Sequence, residues 1–274
     1  MSQPTPALGD GDELDDHEVA IAVARAAGDL LLALRDDLVD RGAPSWALGD
    51  EGDRQAHDLI IAALDELRPD DAVLSEEGRD HPYAMNENRA WIVDPLDGTR
   101  EYGEYPRTDW AVHVALVEDH QPIAGAVALP GVGITLGTRP APPRPAPSGE
   151  APKLVVSRSR PAAISYEIAD ALGGDLVPLG SAGAKAMAVV LGEADIYAHA
   201  GGQYEWDSCA PAAVAAAAGL HVSRIDGSPL RYNRPDPWLP DLLICRPEYA
   251  STVIDLVRHR IGSRIEDEEA HLWR

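Results

Sequence analysis

The chain has 274 residues, with 46 acidic and 23 basic side chains and a formal net charge of −23. Hydrophobic residues make up 45% and charged residues 25%, which is ordinary for a soluble globular protein. Two cysteines exclude a disulfide scaffold or a Cys-rich zinc module. The acidity argues against a nucleic-acid partner, because such binding depends on Lys and Arg that neutralise backbone phosphates. The acidity does not exclude small anionic substrates, because divalent cations can bridge carboxylates to phosphate.

Several features predict a cytoplasmic protein without a membrane partner. No stretch approaches the roughly 18 consecutive apolar residues that a membrane span needs. Residues 1–16 lack both the basic region and the apolar core of a secretory signal. Cys209 and Cys245 stand in apolar surroundings, which predicts buried free thiols in a reducing compartment.

The first predicted elements are two helices and four strands. Asp15 and Glu18 form a capping-box pattern, and apolar residues follow at helical spacing to about residue 38. Residues 41–52 are predicted to form a loop, and a second helix is expected over residues 53–67. Short apolar runs then predict strands over residues 72–75, 90–93, 110–117 and 123–129.

A Pro-rich stretch, residues 139–152, predicts a surface excursion between two halves of the chain. Beyond it the pattern predicts strands over residues 153–157, 176–178, 196–198 and 242–245, and helices over 162–172, 182–191, 207–218 and 248–259. We therefore expect a layered α/β architecture. Its expected parts are a tail (1–13), an N-terminal half (14–138), the excursion, a C-terminal half (153–262) and a charged tail (263–274).

Three acidic clusters stand at the ends of predicted strands or the start of a helix. The first contains Glu76 and its neighbour Glu77, the second is the sequence WIVDPLDGT at residues 91–99, and the third contains Asp207. In the second, Asp94 and Asp97 lie on a turn and can aim at one point together with the Leu96 carbonyl. Oxygen ligands without His or Cys suit a hard cation such as Mg²⁺. An acid pair after a strand is also typical of a solvated loop, and Asp207 could simply cap its helix.

The sequence WIVDPLDGT, the upstream Glu-Glu pair and the downstream Trp-Asp resemble motifs of the inositol monophosphatase superfamily in order and approximate spacing, over roughly residues 14–260. The resemblance implies an αβαβα sandwich, a Mg²⁺-dependent and Li⁺-sensitive phosphatase, and a homodimer. It also implies two to three Mg²⁺ ions per site.

The same resemblance assigns roles to individual residues. A first metal would be held by Glu76, Asp94 and the Leu96 carbonyl, a second by Asp94, Asp97 and Asp207, and a third by Glu76 and waters. The implied catalytic residues are Asp53, Glu76 and Thr99, with Thr99 and Asp53 orienting the attacking water. The family usually has Thr-x-Ala-Asp where this chain has Asp50-Glu51-Gly52-Asp53, so the match at Asp53 departs from the pattern. Glu77 is interpreted as a solvated acid.

Further motifs resemble the 3′(2′),5′-bisphosphate nucleotidase branch, which removes the 3′-phosphate of 3′-phosphoadenosine 5′-phosphate. They are the sequences DGTREY at residues 97–102 and GSAGAK at 180–185, with SRSR at 157–160. Ala200 stands where the inositol branch has a Glu that holds sugar hydroxyls. The implied substrate contacts are Glu76, Leu96, Asp97, Gly98, Thr99, Ser157, Ser181, Lys185 and Asp207.

The resulting hypothesis is a nucleotidase that acts on small bisphosphates of sulfate assimilation, with 3′-phosphoadenylyl sulfate as a further substrate. The alternatives are an inositol-1-phosphatase or fructose-1,6-bisphosphatase of the same superfamily, or a catalytically silent Mg²⁺-binding homologue. His199 and Tyr204 either flank an adenine or pack internally. His57, His113 and His221 have no metal-ligand spacing and are interpreted as structural.

Overall fold

The computed structural model describes residues 14–78, 88–147 and 149–272, with side chains up to residue 260. The tail expected over residues 1–13 lies outside the described residues. The described helices are α1 (Asp16–Asp40), α2 (Ser45–Leu67), α3 (Thr99–Gly103), α4 (Ala163–Leu172), α5 (Ala182–Val190), α6 (Glu205–Ala217) and α7 (Pro247–Leu272). The described strands are β1 (Ala72–Ser75), β2 (Arg89–Asp97), β3 (Ala111–Glu118), β4 (Gln121–Leu129), β5 (Ile134–Gly137), β6 (Lys153–Ser157), β7 (Asp175–Leu179), β8 (Ile196–Tyr204), β9 (His221–Ser223) and β10 (Trp238–Cys245).

These strands form two five-stranded sheets. In the first, the order is β1-β2-β3-β4-β5, with β1 parallel to β2 and every other neighbouring pair antiparallel. In the second, the order is β7-β6-β8-β10-β9, and β6 runs parallel to both β7 and β8. The first sheet ends before the Pro-rich stretch and the second begins after it.

Five layers result from the way the helices cover the two sheets. Helices α1 and α2 pack on the outer face of the first sheet. Helices α5 and α6 lie between the sheets and share one apolar core with both, while α4 and α7 cover the outer face of the second sheet. Both faces of β2 are therefore buried, with Trp91 and Val93 on the outer side and Ala90 and Ile92 on the inner side. The predicted αβαβα sandwich is confirmed.

Local sequence signals account for the first helix. The Asp15 side chain accepts hydrogen bonds from the amides of His17 and Glu18, and the Glu18 carboxylate accepts one from the Asp15 amide. This reciprocal arrangement satisfies amides that have no partner within the helix. The predicted capping box is confirmed.

The predicted loop over residues 41–52 is wrong in its second part, because α2 begins at Ser45 rather than Asp53. Two glycines lower the helix propensity of this segment, and tertiary packing explains them. A Cβ on Gly49 would lie 2.7 Å from the Thr99 Cγ2 atom, and one on Gly52 would lie 2.9 Å from a Leu96 methyl carbon. The glycines therefore let α2 approach the turn that carries the central acidic motif.

Other differences concern the ends of elements. Strand β2 continues to Asp97 and β8 continues to Tyr204, so both reach further than the apolar runs predict. Strands β5 and β9, of four and three residues, lie outside the strands that the sequence predicts. Much of the expected charged tail belongs to α7, which continues to Leu272. None of the described helices is long and apolar enough to cross a membrane. The predicted division into halves and tails stays a prediction.

Candidate active site

The end of β2 positions two of the predicted acids. Its pairing with β3 shifts register between Asp94 and Asp97, where Pro95 interrupts the ladder. The Leu96 amide donates a hydrogen bond of 3.1 Å to Asp94 Oδ1, which holds the carboxylate over its own turn. Both Asp94 and Asp97 are buried. The turn therefore directs two carboxylates inward, into the space between the sheets.

Asp207 approaches the same point from the second half of the chain. It lies in the first turn of α6, and its carboxylate accepts a hydrogen bond of 2.6 Å from the Tyr204 amide. Carboxylate oxygens of Asp94, Asp97 and Asp207 all lie within 4.8 Å of one another. The two readings of Asp207 are thus compatible, because one carboxylate caps the helix and also faces the other acids.

Asp97 is held by the first turn of α5. Its two oxygens accept hydrogen bonds from the amides of Ala182, at 3.1 Å, and Gly183, at 2.5 Å. Its Oδ2 also lies 3.3 Å from His113 Nε2. Amides at a helix start carry partial positive charge, so they stabilise the ionised carboxylate. Helix α5 therefore fixes this acid from the side opposite its own strand.

The charges of the cluster perturb its acids unequally. Burial, followed by repulsion from Asp97 and Glu76, raises the pKa of Asp94 well above its ordinary value. Burial and the charge of Asp97 raise the pKa of Asp207 to about 6. Burial acts in the same direction on Asp97, but His113 and the backbone amide beneath it outweigh burial and lower the pKa of Asp97. The negative charge of the three carboxylates is therefore only partly compensated by neighbouring positive groups.

The donor set fits a hard divalent cation. Asp94 Oδ2 is buried and has no hydrogen-bond partner among the described residues, and such an atom is costly unless something binds it. All three converging groups offer carboxylate oxygens, which Mg²⁺ prefers. A bound cation would both satisfy this oxygen and offset the mutual repulsion of the acids.

Thr99 and Asp53 meet beside this cluster. The Thr99 hydroxyl lies 3.4 Å from Asp53 Oδ1 and 3.2 Å from the Leu96 carbonyl oxygen. It has one proton, so it can donate to only one of these acceptors at a time. Gly98 starts α3 with a φ of 87°, a conformation that glycine adopts without strain. Burial, followed by the charges of Glu77 and Glu76, raises the pKa of Asp53 to about 8.

The first acidic cluster follows β1. Its Glu76 is half-buried, and the Glu76 amide lies 3.4 Å from the Val93 carbonyl oxygen of β2. The negative charge of Glu76 contributes to the raised pKa of both Asp94 and Asp53, which places it in the same electrostatic neighbourhood. Glu77 is exposed, as the sequence predicts.

Two predicted substrate contacts, Ser181 and Lys185, lie at the start of α5. The Lys185 side chain is buried, and its Nζ donates to the carbonyl oxygens of Gly180, at 2.5 Å, and Ser181, at 2.8 Å. The Ser181 Oγ accepts a hydrogen bond from the Ala184 amide as a helix cap. The Lys185 ammonium therefore binds backbone carbonyl oxygens of the residues just before α5, and it is not exposed to bind a phosphate. Contact between Lys185 and a substrate phosphate stays a prediction.

The SRSR segment after β6 is also engaged locally. The Ser157 Oγ accepts a hydrogen bond of 3.2 Å from the Arg160 amide. The Arg158 guanidinium pairs with Glu101, at 2.6 Å, and Glu104, at 2.7 Å, which ties the second half of the chain to α3. A role for Ser157 in substrate binding stays a prediction.

The aromatic groups near Asp207 pack internally. The Tyr204 ring stacks on Trp206 with centroids 4.7 Å apart, and a ring nitrogen of His199 lies 3.0 Å from the Gly202 carbonyl oxygen. Ala200 lies on β8 opposite Asp241 of β10. Internal packing therefore accounts for the position of Tyr204, and the side chain of Ala200 itself offers no carboxylate.

His113 is the site residue that the sequence interpretation underrates. It was assigned a structural role, yet it touches Asp97 and lies directly opposite Asp94 in the β2–β3 pairing. The missing signal was the strand register, because antiparallel pairing places Asp94 and His113 side by side although residues 98–110, which include α3, separate the two strands.

Comparisons with known proteins agree with this geometry. The profile of the inositol monophosphatase family matches residues 13–259. The chain belongs to the inositol monophosphatase family.

Curated relatives within this family are similar over most of the chain. A 3′-phosphoadenosine 5′-phosphate phosphatase of Mycobacterium leprae (strain TN) is 46% identical over 258 residues, covering 90% of this chain and 94% of the relative. The 3′-phosphoadenosine 5′-phosphate phosphatase of Mycobacterium bovis is 49% identical, covering 84% and 89%. The 3′(2′),5′-bisphosphate nucleotidase CysQ of Escherichia coli (strain K12) is 32% identical, covering 79% and 94%. The predicted enzyme class, a phosphoric monoester hydrolase, agrees with these names.

Solved structures of family members share the fold. CysQ from Bacteroides thetaiotaomicron superimposes with a TM-score of 0.69 at 27% identity, covering 83% of this chain and 96% of that one. Inositol monophosphatase II from Staphylococcus aureus superimposes with a TM-score of 0.72 at 18% identity, covering 90% and 96%, which speaks for the fold alone. The family is metal-dependent, and the three-carboxylate cluster offers a place for a cation.

Proposed function

We propose that this chain is a Mg²⁺-dependent, Li⁺-sensitive phosphatase that removes the 3′-phosphate of 3′-phosphoadenosine 5′-phosphate. The observation that carries the proposal is the convergence of Asp94, Asp97 and Asp207 within 4.8 Å. The names of the relatives at 46–49% identity support the choice of substrate. Hydrolysis of 3′-phosphoadenylyl sulfate belongs to the same proposal, since that molecule differs only away from the reacting ester. Sulfate assimilation is the proposed context, in the cytoplasm and as a homodimer.

The metal-binding residues in this proposal are Glu76, Asp94, Asp97, Asp207 and the carbonyl of Leu96, which together would hold two to three Mg²⁺ ions. When bound, Mg²⁺ supplies Lewis-acid charge that stabilises the phosphoryl oxygens and the leaving alkoxide. Asp94 contributes its Oδ2 atom, which has no hydrogen-bond partner among the described residues. Asp97 arrives already oriented by two amides of α5, so it loses little conformational freedom on binding.

Asp53 and Thr99 are the proposed partners of the attacking water. The Thr99 hydroxyl lies 3.4 Å from Asp53 Oδ1 and 3.2 Å from the Leu96 carbonyl oxygen. A water bound beside Thr99 and Asp53 would be oriented by hydrogen bonds to both side chains. The pKa of Asp53 falls when positive charge is bound beside it, so the loaded site favours the carboxylate that accepts the water proton. Asp53 is thus the proposed general base, and Thr99 the group that aligns it with the water.

Substrate choice in this proposal depends on what surrounds the cluster. Ala200 provides no carboxylate for sugar hydroxyls, which disfavours inositol 1-phosphate. Gly98, Ser157, Ser181 and Lys185 remain proposed contacts of the nucleotide, although the serines and Lys185 now serve local hydrogen bonds. Contact with a phosphate would require these side chains to exchange partners.

The test is phosphate release from three esters at millimolar Mg²⁺, with and without Li⁺. The esters are 3′-phosphoadenosine 5′-phosphate, inositol 1-phosphate and fructose 1,6-bisphosphate. We expect strong preference for the adenosine bisphosphate and inhibition by Li⁺. Asp94→Asn should abolish turnover, whereas Asp65→Asn, which neutralises an exposed acid on the distant end of α2, should leave it unchanged. Preference for a sugar ester would overturn the substrate, and no release from any ester would leave a silent homologue.

A further inference from the structure

His113 occupies a bridging position in the core between the two sheets. It is fully buried in β3. Its Nδ1 lies 2.9 Å from the Trp206 carbonyl oxygen, and because a carbonyl only accepts, Nδ1 carries the proton and donates. Its Nε2 lies 3.3 Å from Asp97 Oδ2. One rigid ring therefore contacts both a candidate metal ligand and the residue immediately before another one.

The two acids joined in this way arrive from different parts of the fold. Asp97 ends β2 of the first sheet, whereas Asp207 stands in α6, which follows β8 of the second sheet. A common cation requires their oxygens to stay within a few ångströms, so the separation of the two main chains must be controlled. We infer that His113 is a positioning residue that sets the distance between Asp97 and the Trp206–Asp207 turn. This inference rests on the proposed Mg²⁺ site.

The surroundings of the ring leave it one orientation. A Cβ on Gly183 would lie 2.2 Å from His113 Nε2, so α5 approaches the imidazole edge directly. The same Gly183 donates its amide to Asp97. The imidazole edge, the glycine and the carboxylate form one contiguous unit, and a ring flip would break the bond to Trp206. Groups that orient metal ligands in this manner contribute substantially to metal affinity.

A purely structural role makes a different prediction from a positioning role. A histidine that only fills the core contributes to the stability of the fold, and its replacement leaves the affinity of a folded variant for Mg²⁺ unchanged. A histidine that sets the separation of Asp97 and Asp207 contributes to that affinity as well. Stability and Mg²⁺ affinity must therefore be measured on the same variants.

Three substitutions separate the contacts. His113→Phe keeps a ring of similar size and removes both polar contacts. His113→Asn places an amide nitrogen near the position of Nδ1 and retains the donor to Trp206. His113→Gln places an amide group near the position of Nε2, which lies 3.3 Å from Asp97 Oδ2, and loses the donor to Trp206. His120→Gln is the matched control, because His120 Nδ1 also bonds a carbonyl oxygen, that of Tyr232 at 2.8 Å, beyond the opposite end of β3.

The experiment measures the Mg²⁺ dissociation constant of the full chain by isothermal titration calorimetry after EDTA treatment, together with urea unfolding. We expect His113→Phe to weaken Mg²⁺ binding by about 10–100-fold, the range found when groups that orient metal ligands are removed. The Asn and Gln variants should fall between it and the wild type, and the His120 control should match the wild type. If the Phe variant does not fold, the two amide variants carry the comparison.

Two negative outcomes have different meanings. If the wild type binds Mg²⁺ and every folded His113 variant binds it within twofold of the wild type, the positioning role is overturned while the proposed function stands. If the wild-type chain binds no Mg²⁺, the proposed function and this inference are both overturned.

Discussion

Replacing Asp53 by asparagine should change how the stability of the metal-free protein depends on pH. Burial, followed by the charges of Glu77 and Glu76, raises the pKa of Asp53 from 3.8 to about 8 in the folded chain. Between these two values the folded protein holds a proton that the unfolded chain has released. The free energy of unfolding therefore decreases as pH rises through this window, and the decrease ends above the folded pKa.

The size of the effect follows from that window. One such group contributes about 1.4 kcal/mol for each pH unit, so between about pH 6 and pH 8 Asp53 alone removes roughly 2 kcal/mol. In a protein of this size that corresponds to a fall in Tm of about 4–8 °C. Asparagine does not titrate, so Asp53→Asn lacks this part of the decline. The other acids of the cluster titrate in both proteins, and the difference between the two curves isolates Asp53.

The assay is differential scanning fluorimetry in EDTA across this pH range, on the wild type, Asp53→Asn and the control Asp50→Asn. Asp50 is exposed one turn away on the same helix, and its charge is the smallest of the named causes that raise the pKa of Asp53, so its removal should change the curve only slightly. Phosphate release by Asp53→Asn with Mg²⁺ should fall by about 10²–10⁴-fold, the usual contribution of a general base. Parallel wild-type and Asp53→Asn curves would refute the reasoning, because they would show that this carboxyl does not hold a proton in the folded protein.

Three further outcomes are expected. Mg²⁺ at about 100 times its dissociation constant should stabilise the wild type by about 2.7 kcal/mol, measured by differential scanning fluorimetry. The Asp94→Asn variant should lose most of this stabilisation. An equal stabilisation of both proteins would contradict a Mg²⁺ site at Asp94. Gly183→Ala should lower the free energy of unfolding measured in urea. Overpacking against His113 costs about 1–3 kcal/mol, which outweighs the roughly 1 kcal/mol that alanine adds to a helix. Unchanged stability would mean that the His113 ring can move aside. Arg158→Met should cost about 1–3 kcal/mol in the same urea unfolding, since it leaves the buried Glu101 carboxylate without its cation. Arg54→Met removes only exposed ion pairs and should leave the stability nearly unchanged. Equal losses would contradict this difference in burial.

The layered α/β architecture and the turn at Asp94–Asp97 could be predicted because both depend on strong local signals, whereas the convergence of Asp207 with these two acids was implied by the family resemblance. The turn at Asp94–Asp97 combines Pro95, a glycine and two carboxylates in a few residues, and the buried strand before it has an uninterrupted apolar run. Such segments leave few alternative conformations. The position of Asp207 at the start of a helix was visible for the same reason.

What the sequence did not predict depends on contacts between distant segments. Gly49 weakens the signal for the start of α2, and its close approach to Thr99 explains why a glycine stands at this helical position. His113 carries no motif, and only the β2–β3 register places it beside the acids. Lys185 looks like a free cation in the sequence, but burial turns its ammonium towards backbone carbonyls. Each of these differences reflects tertiary packing that local sequence signals do not report. Contact between Lys185 and a substrate phosphate stays a prediction.

Three glycines matter to this site although they have no side chain. Gly49, Gly52 and Gly183 each leave space where a methyl group would meet Thr99, Leu96 or His113. In a saturation-mutagenesis map scored on phosphatase activity, these positions should therefore tolerate few side chains, with the largest losses for bulky ones. Suppressors of a Gly183 substitution should arise at the facing residues rather than near the substrate. The mutational footprint of the active site is consequently wider than the set of atoms that perform its chemistry.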